Sequence, residues 1–407
     1  MFKMKCSICQ DESMFRFLSL GHQPPSNAFL KEEDLNKPEV HYPLDVYYCE
    51  TCSLVQLGYV VDPKILFREY VYTTSTNNSL IRNFSNLVDD LVKRFNLDKN
   101  DFAVDIGSND GTLLKCYSKY NMKVVGVEPS SAADISVKNG IPTVKDFFNS
   151  KTSPKIAEKY GKADIITATN VFAHVKDLYS FVEGVKNLLK SDGVFISESH
   201  HLLSLVNEMQ WDSIYHEHLR MYSLKPLIHL FNKFNLDLFD AERISTHGGS
   251  IRVYVCNRGS YPISDNVDKI LEDERSFGLY NKETFEEFGK KVLNHRIEIQ
   301  DILSKIKKEG KRIVGVGAPA KGNTLLNYCN ITPDIIDYIA EKSHLKIGLY
   351  TPGTHIKVVE EKFIFEDQPD YAFLLSWNIA DELINNLKNL GYKGKIIVPV
   401  PSVRIFS

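Results

Sequence analysis

Apolar residues along most of the chain follow two spacings, one typical of helices and one typical of buried strands. Helical spacing first occurs at Leu80, Phe84, Leu87, Val88, Leu91 and Val92. Mainly apolar runs rich in β-forming residues then follow at 102–106, 123–127, 164–168 and 193–197, with segments of helix length between them. Because parallel strands joined by helices are buried on both faces, this alternation predicts an α/β unit with a parallel sheet.

The remaining apolar runs extend this plan toward the C-terminus. The runs 236–245 and 250–256 are expected to close the first sheet as an antiparallel edge pair. The charged stretch 266–311 predicts a long helix that acts as a connector. Beyond it, a second α/β unit is predicted from strand-like runs at 312–316, 335–339, 371–375 and 395–399.

The N-terminal 70 residues have little apolar mass and contain two closely spaced cysteine pairs, Cys6-x-x-Cys9 and Cys49-x-x-Cys52. Two such pairs are typical of a closed, tetrahedral structural zinc site, although reduced structural cysteines or a redox pair are alternatives. We therefore predict three domains, a zinc-binding lobe (1–70), a central α/β domain (71–260) and a C-terminal α/β domain with its helical connector (261–407).

Composition narrows the class of protein. The chain has 407 residues and a formal net charge of -3, which suits a soluble globular protein and gives no general excess of basic charge for nucleic acid. The N-terminus reaches charged residues before any apolar signal could form, and no window is apolar enough for a membrane span. The scattered, odd-numbered remaining cysteines argue against a disulfide framework, so a reducing, cytoplasmic location is expected.

A glycine-containing loop follows the first strand of the central domain. Gly107 and Gly111 allow a tight turn and close approach of a ligand, and Asp105 and Asp110 supply acceptors. Ser108 and Asn109, between the two glycines, are further candidates for contact with the ligand. The spacing matches neither a dinucleotide fingerprint nor a phosphate-binding loop, and an ordinary strand-to-helix turn is the alternative. Glu128 ends the next strand, where an acid is expected to bind ribose hydroxyls.

Other candidates for the same ligand site follow later strands. Asp146 and Phe147 could contact adenine, although Phe147 could equally be a core residue, and Asn170 follows the fourth strand. Because ligand sites in parallel sheets form at the carboxyl ends of strands, His174 and the run Tyr215-His216-Glu217-His218 should converge on the same site. A histidine can deprotonate a carbon next to a ketone near neutral pH.

The alternatives for the histidines are structural. His200 and His201 are more readily half-buried hydrogen-bonding residues, and His216 with His218 could form a His-x-His metal pair, for which no third ligand is spaced convincingly. The loop 315–323 of the C-terminal unit could place Lys321 and Asn323 near a diphosphate, together with His355, or could bind nothing.

Taken together, the motifs resemble those of the sugar C-methyltransferases of deoxysugar biosynthesis. The resemblance covers nearly the whole chain and includes the cysteine pairs, YVYTT at 70–74, DIGSNDGTLL at 105–114, NVFAHV at 170–175, IYHEH at 214–218, THGGSIRVY at 246–254, GVGAPAKGNTLLNY at 315–328 and PGTHIKV at 352–358.

The resemblance implies a class I S-adenosylmethionine-dependent methyltransferase, with 71–260 as the Rossmann-like domain that binds the methyl donor and 261–407 as a C-terminal Rossmann-like domain that helps hold the substrate. It also implies that the enzyme acts, usually at C-3, on a 4-keto-6-deoxy sugar linked to a nucleotide such as dTDP, GDP or CDP. It implies that Tyr72, His174, Tyr215, Glu217 and His218 line the reaction site, with His218 as the base. The oligomeric state would be a monomer or homodimer. The alternatives are an O- or N-methyltransferase and a non-catalytic, zinc-stabilised scaffold.

Overall fold

The computed structural model describes residues 4–66, 74–76 and 78–407. Its strands are β1 Met14–Gln23, β2 Tyr42–Cys49, β3 Val55–Leu57, β4 Phe102–Ile106, β5 Lys123–Val127, β6 Thr143–Val144, β7 Ala163–Thr169, β8 Leu189–His200, β9 Arg220–Met221, β10 Leu236–Ile244, β11 Ser250–Asn257, β12 Ile313–Val316, β13 Ile339–Glu341, β14 Val358–Glu360, β15 Tyr371–Leu374, β16 Lys395–Val398 and β17 Arg404–Phe406.

The α-helices are α1 Pro63–Leu66, α2 Asn78–Phe95, α3 Thr112–Lys115, α4 Ala132–Lys138, α5 Ser153–Tyr160, α6 Leu178–Leu188, α7 Leu202–Asn207, α8 Leu224–Asn232, α9 Asp265–Phe277, α10 Lys282–Lys308, α11 Ala320–Tyr328, α12 Phe363–Asp367 and α13 Ala380–Asn389. Short 3-10 helices occur at Glu32–Asp34, Thr74–Thr76, Cys116–Tyr120, Phe172–His174, Trp211–Ser213, Thr246–Gly248 and Trp377–Ile379.

The central sheet has seven strands in the order β10-β11-β8-β7-β4-β5-β6. The five strands from β8 to β6 are parallel, and β11 and β10 follow as an antiparallel pair at one edge. This confirms the predicted parallel strands and the predicted edge pair. The chain leaves β4 toward β5 and β6 and returns on the other side with β7, so β4 lies at the switch point where ligands bind in such sheets.

The N-terminal sheet has the order β1-β2-β3-β9 and is antiparallel throughout. Its fourth strand, β9, is only two residues long and comes from the middle of the chain. Val55 pairs with Met221 and Gln56 with Arg220. The cysteine-containing lobe is therefore joined by backbone hydrogen bonds to the segment that directly follows His218.

The C-terminal sheet has the order β14-β13-β12-β15-β16-β17, with β17 antiparallel to an otherwise parallel sheet. The predicted strand at 335–339 is placed differently, because β13 covers Ile339–Glu341 and Ile336 is buried in the turn before it. Burial of apolar side chains does not by itself require a strand, which explains the difference.

The long predicted helix at 266–311 is two helices rather than one. Gly278 ends α9 in the left-handed conformation at φ 92°, and α10 begins at Lys282. Helix α10 is also more than a connector, since Phe285 stacks on Tyr48 with 4.6 Å between ring centroids and lies 5.0 Å from the ring of Phe17. The N-terminal sheet thus shares its hydrophobic core with α10 and the C-terminal sheet. The domain boundaries at 70 and 260 stay a prediction.

Across the described ranges, no helix is both long enough and apolar enough to cross a bilayer.

Candidate functional site

A cavity of ≈ 860 Å³ lies where the three parts of the chain meet. The central sheet contributes the loop after β4 and the residues after β7 and β8. The N-terminal lobe contributes Asn27, and the C-terminal part contributes Lys321 and Lys346. A cavity of this size can enclose most of a ligand the size of a nucleotide, and it brings most of the predicted site residues together.

The loop after β4 forms one wall, with Asp105, Gly107, Ser108 and Asn109 lining the cavity. Gly107 has a φ of 69°, and a Cβ atom there would lie 2.3 Å from Cγ2 of Val171, so the loop can adopt this shape only with glycine. Burial raises the pKa of Asp105 to about 7, partly offset by the hydroxyl of Thr167, which donates a 2.6 Å hydrogen bond to Oδ1. The loop therefore forms part of the cavity wall in a shape that its own hydrogen bonds hold.

Glu128 also lines the cavity, directly after β5. Its Oε2 accepts the backbone N–H of Asn109 at 2.9 Å, and its Oε1 accepts that of Ser130 at 2.8 Å. These two bonds fix the carboxylate at the carboxyl edge of the sheet, and its remaining lone pairs can still accept hydrogen bonds. Phe147, 41% exposed, and Asn170 line the same cavity.

Two predicted donor-site residues do not line the cavity. Gly111 caps α3 at a φ of 80°, and a Cβ atom there would lie 2.6 Å from Oγ of Ser136, so this glycine serves the turn. Asp146 is exposed and accepts the backbone N–H of Phe147 at 2.7 Å. Their assigned roles in donor binding stay predictions.

The histidine and tyrosine cluster lies in the cavity wall. The hydroxyl of Tyr215 is 2.9 Å from Nε2 of His218, and Nδ1 of His218 is 2.7 Å from the backbone oxygen of Ser213. Since a carbonyl oxygen only accepts, Nδ1 carries a proton and Nε2 of the neutral ring is the basic atom. The ring of His174 is 5.0 Å from that of His218, and its pKa is held well below the usual value by desolvation and then by His218. This arrangement can accept a proton at Nε2.

Glu217 is buried behind this cluster and does not itself line the cavity. Its Oε1 accepts a 2.6 Å hydrogen bond from Nδ2 of Asn27. Burial raises the pKa of Glu217 to about 7, and the bond from Asn27 and the charge of Lys346 oppose that rise. The sequence does not indicate Asn27, because no spacing links it to a residue 190 positions away.

Of the three predicted substrate contacts, Lys321 lines the cavity. Its Nζ lies 3.8 Å from the centre of the Trp377 ring and donates a 2.6 Å hydrogen bond to Oδ1 of Asn378. Burial lowers the pKa of Lys321 to about 8. Lys346, which the sequence did not indicate, also lines the cavity, with a pKa lowered by burial.

Asn323 and His355 lie elsewhere among the described residues. Asn323 is buried and donates its Nδ2 hydrogen to the backbone oxygen of Ser26 at 2.7 Å. Nε2 of His355 is 2.6 Å from Oε1 of Glu39. Both connect the C-terminal part to the N-terminal lobe, so substrate contact by either stays a prediction.

Of the other three histidines considered from the sequence, one lines the cavity and two are buried away from it. His200 lines the cavity with Nε2 2.6 Å from Oε1 of Gln210, whereas His201 is buried with Nε2 2.8 Å from Glu274. His216 is buried, and its Nε2–H donates to the backbone oxygen of Tyr42 at 3.2 Å. Tyr72 lies outside the described residues.

The four paired cysteines form the candidate metal centre. Their Sγ atoms all lie within 4.8 Å of one another, and no other group of three or more potential ligands occurs among the described residues. A tetrahedral zinc site with bonds of about 2.3 Å has sulfur–sulfur distances of about 3.8 Å, and the Cys6–Cys52 and Cys9–Cys49 sulfurs are 3.5 Å apart. The backbone N–H groups of Ile8 and Cys9 point to Sγ of Cys6, as thiolate ligands require. The donor set therefore fits zinc.

A parallel sheet closed by an antiparallel pair, with a glycine loop and an acid facing one cavity at its switch point, defines a class I S-adenosylmethionine-dependent methyltransferase. Three family models match consecutive segments, "Putative zinc binding domain" at 6–67, "Methyltransferase domain" at 80–240 and "C-methyltransferase C-terminal domain" at 245–401. C-methyltransferase NovU of Streptomyces niveus is 33% identical over 406 residues, which cover 99% of this chain and 97% of that protein. The chain belongs to this C-methyltransferase family, as its motifs indicated.

Two similar solved structures each match less than half of this chain. The PH0226 protein of Pyrococcus horikoshii is 13% identical with a TM-score of 0.36, and the match covers 46% of this chain and 95% of that one. A SAM-dependent methyltransferase of Anabaena variabilis is 14% identical with a TM-score of 0.36, covering 43% and 85%. With both TM-scores below 0.5, the fold assignment rests on the sheet order and the family models.

Proposed function

We propose that this C-methyltransferase methylates a carbon next to a ketone, at C-3 of a nucleotide-linked 4-keto-6-deoxy sugar. The observation that carries the proposal is the Nε2 atom of His218, held as the basic nitrogen beside Tyr215 in the cavity that Gly107 and Glu128 also line. A carbon acid needs a base at the acceptor, whereas an electrophilic methyl group needs little further activation.

The donor half of the proposal uses the wall formed by the loop after β4. S-adenosylmethionine supplies an electrophilic methyl group on a sulfonium centre. Glu128 is placed to accept the ribose hydroxyls, the open backbone at Gly107 allows the amino acid moiety to approach, and the half-exposed ring of Phe147 is available to adenine.

The acceptor half uses His218 as the base. Nε2 removes the proton from C-3, whose acidity comes from the neighbouring 4-keto group, and the carbanion is conjugated into an enolate. For Nε2 to reach that proton, the hydroxyl of Tyr215 must rotate away from it, and it can then donate to the enolate oxygen. His174, whose low pKa keeps it neutral, adds no competing positive charge beside His218.

Two lysines support an anionic substrate. Lys321 and Lys346 lie on the C-terminal wall of the cavity, and burial lowers the pKa of both because their charge is incompletely compensated. A diphosphate placed between them would restore the favoured charged form. A neutral sugar without a nucleotide would leave both cations only partly compensated.

The alternative reaction is methyl transfer to an oxygen or nitrogen of the sugar. The family models and the full-length relative favour carbon as the acceptor atom. The position of the new methyl group decides between the two, since an O- or N-methyl carbon and a C-methyl carbon have well-separated NMR shifts.

The test combines labelled donor with a panel of dTDP-, GDP- and CDP-linked 4-keto-6-deoxy sugars. We expect a new C-3 methyl group by NMR, and solvent deuterium at C-3 when S-adenosylhomocysteine replaces the donor. His218→Asn should lower turnover by about 10²–10⁴-fold while donor affinity by calorimetry is retained. The matched control is His344→Asn, at an exposed histidine away from the cavity. Methyl transfer to oxygen, or near-normal turnover of His218→Asn, would overturn the proposal.

A further inference from the structure

The identity of the basic nitrogen of His218 depends on the position of one backbone carbonyl. Ser213 accepts the Nδ1 hydrogen at 2.7 Å, which keeps the proton on Nδ1 and leaves Nε2 as the acceptor toward Tyr215. If the Ser213 oxygen moved away, the ring would lose the contact that selects this tautomer. The elements that fix Ser213 therefore also determine how much of His218 is in the reactive form.

Ser213 ends the 3-10 helix Trp211–Ser213, and the two residues before it are both held by the C-terminal part of the chain. Nε1 of Trp377 donates a 2.6 Å hydrogen bond to Oδ2 of Asp212. Nε1 of Trp211 donates a 2.9 Å hydrogen bond to Nδ1 of His295 on α10. This short helix is thus fixed from outside the methyltransferase sheet.

Of these two contacts, the Trp377–Asp212 bond is expected to affect the turn more strongly, because Asp212 is completely buried. Its Oδ1 has no hydrogen-bond partner among the described residues, so the donor at Oδ2 compensates an otherwise poorly solvated carboxyl group. Burial raises the pKa of Asp212 to about 6, and the positive charge of Lys321 opposes this rise. Loss of the indole N–H would leave both carboxyl oxygens without a side-chain donor and would favour a shift of the turn.

The same indole ring also supports the cavity wall that faces the substrate. Nζ of Lys321 lies 3.8 Å from the centre of the Trp377 ring, and the neighbouring Asn378 accepts its hydrogen bond. Trp377 therefore contacts a cavity-lining lysine with its face and the turn that carries Ser213 with its edge.

We propose that Trp377 and Asp212 are positioning residues, which hold the Ser213 carbonyl against Nδ1 of His218 and so connect the C-terminal wall of the cavity to the tautomer of the base. The inference rests on the proposed function only in taking His218 as the base. Neither residue touches the reacting atoms in this arrangement, and both act through the backbone of Trp211–Ser213.

The test uses Trp377→Phe, which keeps an aromatic ring beneath Lys321 and removes the N–H donor. The readout is the nitrogen NMR spectrum of histidine-labelled protein without substrate, with His218 assigned by subtraction of the His218→Asn spectrum. Wild type should show protonated Nδ1 and unprotonated Nε2. Trp377→Phe should show a mixture of tautomers, and kcat should fall about tenfold with the KM for the methyl donor unchanged.

Two controls separate this effect from a general loss of structure. Tyr338→Phe removes a comparable 2.9 Å hydrogen bond to Asp367 in the same part of the chain, and should leave the His218 spectrum unchanged. Asp212→Asn keeps an oxygen for the indole N–H and should retain the tautomer. If Trp377→Phe unfolds the protein, the wild-type spectrum and Asp212→Leu provide the same comparison.

An unchanged tautomer in folded Trp377→Phe, or a wild-type ring protonated at Nε2, would overturn the inference. A shifted tautomer with unchanged kcat would instead support the positioning contact and refute His218 as the base. The spectrum therefore distinguishes failure of the positioning role from failure of the proposed function.

Discussion

Replacing Gly107 by alanine tests whether the loop after β4 binds the methyl donor, and the same replacement at Gly140 provides a matched control. Gly107 has a φ of 69°, and an added Cβ atom would lie 2.3 Å from Cγ2 of Val171. Gly140 has a similar φ of 81°, and an added Cβ atom there would meet nothing within 4 Å. Both substitutions therefore place alanine in a left-handed backbone, but only Gly107→Ala also creates a steric clash.

The expected losses of stability follow from the left-handed backbone and from the steric clash. The left-handed backbone costs an alanine about 1–2 kcal/mol, so Gly140→Ala should lower the free energy of unfolding by that amount. Overpacking adds about 1–3 kcal/mol, so Gly107→Ala should lose about 2–5 kcal/mol. Because Gly107 and Val171 both line the cavity, their displacement should also weaken binding of S-adenosylmethionine by about tenfold or more, which corresponds to about 1.4 kcal/mol.

Urea denaturation measures the stability of each variant, and isothermal titration measures donor affinity. Gly140→Ala should bind the donor as wild type does. Adding Val171→Ala to Gly107→Ala removes the clashing methyl group and should recover part of the lost stability, a coupling that a double-mutant cycle detects. Equal stability and equal donor affinity for the Gly107 and Gly140 variants would refute both the steric argument and the placement of the donor.

Two further outcomes are expected. Because the pKa of buried Glu217 is raised from 4.5 to about 7, the folded state holds its proton more tightly, and stability falls as pH rises through this window. Glu217→Gln keeps an acceptor for Asn27 and removes the ionisable group. It should therefore raise the free energy of unfolding, measured by urea titration, by up to about 3 kcal/mol at pH 8 and by progressively less toward pH 4.5. A difference in stability that does not depend on pH would contradict this reasoning. Inductively coupled plasma mass spectrometry should find one zinc ion per chain in wild type and in Cys116→Ser, but not in Cys49→Ser. Loss of the metal should speed hydrogen exchange in β1–β3. Unchanged exchange in metal-free protein would contradict a structural role for the metal.

The elements that the sequence predicts well are those whose own residues determine them. The runs 102–106 and 123–127 are largely apolar and coincide with β4 and β5. The glycine loop and Glu128 fall at one cavity because strand ends of a parallel sheet share an edge, which is a general rule and needs no knowledge of distant contacts.

The features that could not be predicted depend on contacts between distant segments. Asn27 meets Glu217 across 190 residues, and Trp377 meets Asp212 across 165. Strand β9 has only two residues and no periodicity of its own, and it exists because β3 pairs with it. Asn323, in turn, looked like a ligand residue because it follows a strand-to-helix loop, but its amide faces the N-terminal lobe.

The position of the cysteine cluster gives it an indirect connection to the reaction site. Ser7 lies between two of the cysteines, and its hydroxyl accepts a 2.8 Å hydrogen bond from Nε of Arg220. The same buried guanidinium donates to the backbone oxygens of Val175 and Lys176, directly after His174, while Arg220 itself lies two residues after His218.

A metal ion in this cluster would therefore hold in place the loop that is bonded to Arg220. Through Arg220 it would also hold the two segments that carry His174 and His218. Four sulfur ligands fill a tetrahedral ion, so such an ion has no position for a substrate atom. Its contribution to methyl transfer lies in geometry, because a displacement of about 1 Å in a base can cost a large part of the rate even when every reacting group is present. Because the small lobe also shares a hydrophobic core with α10 and the C-terminal sheet, we expect the position of His218 to depend both on that packing and on the cysteine cluster.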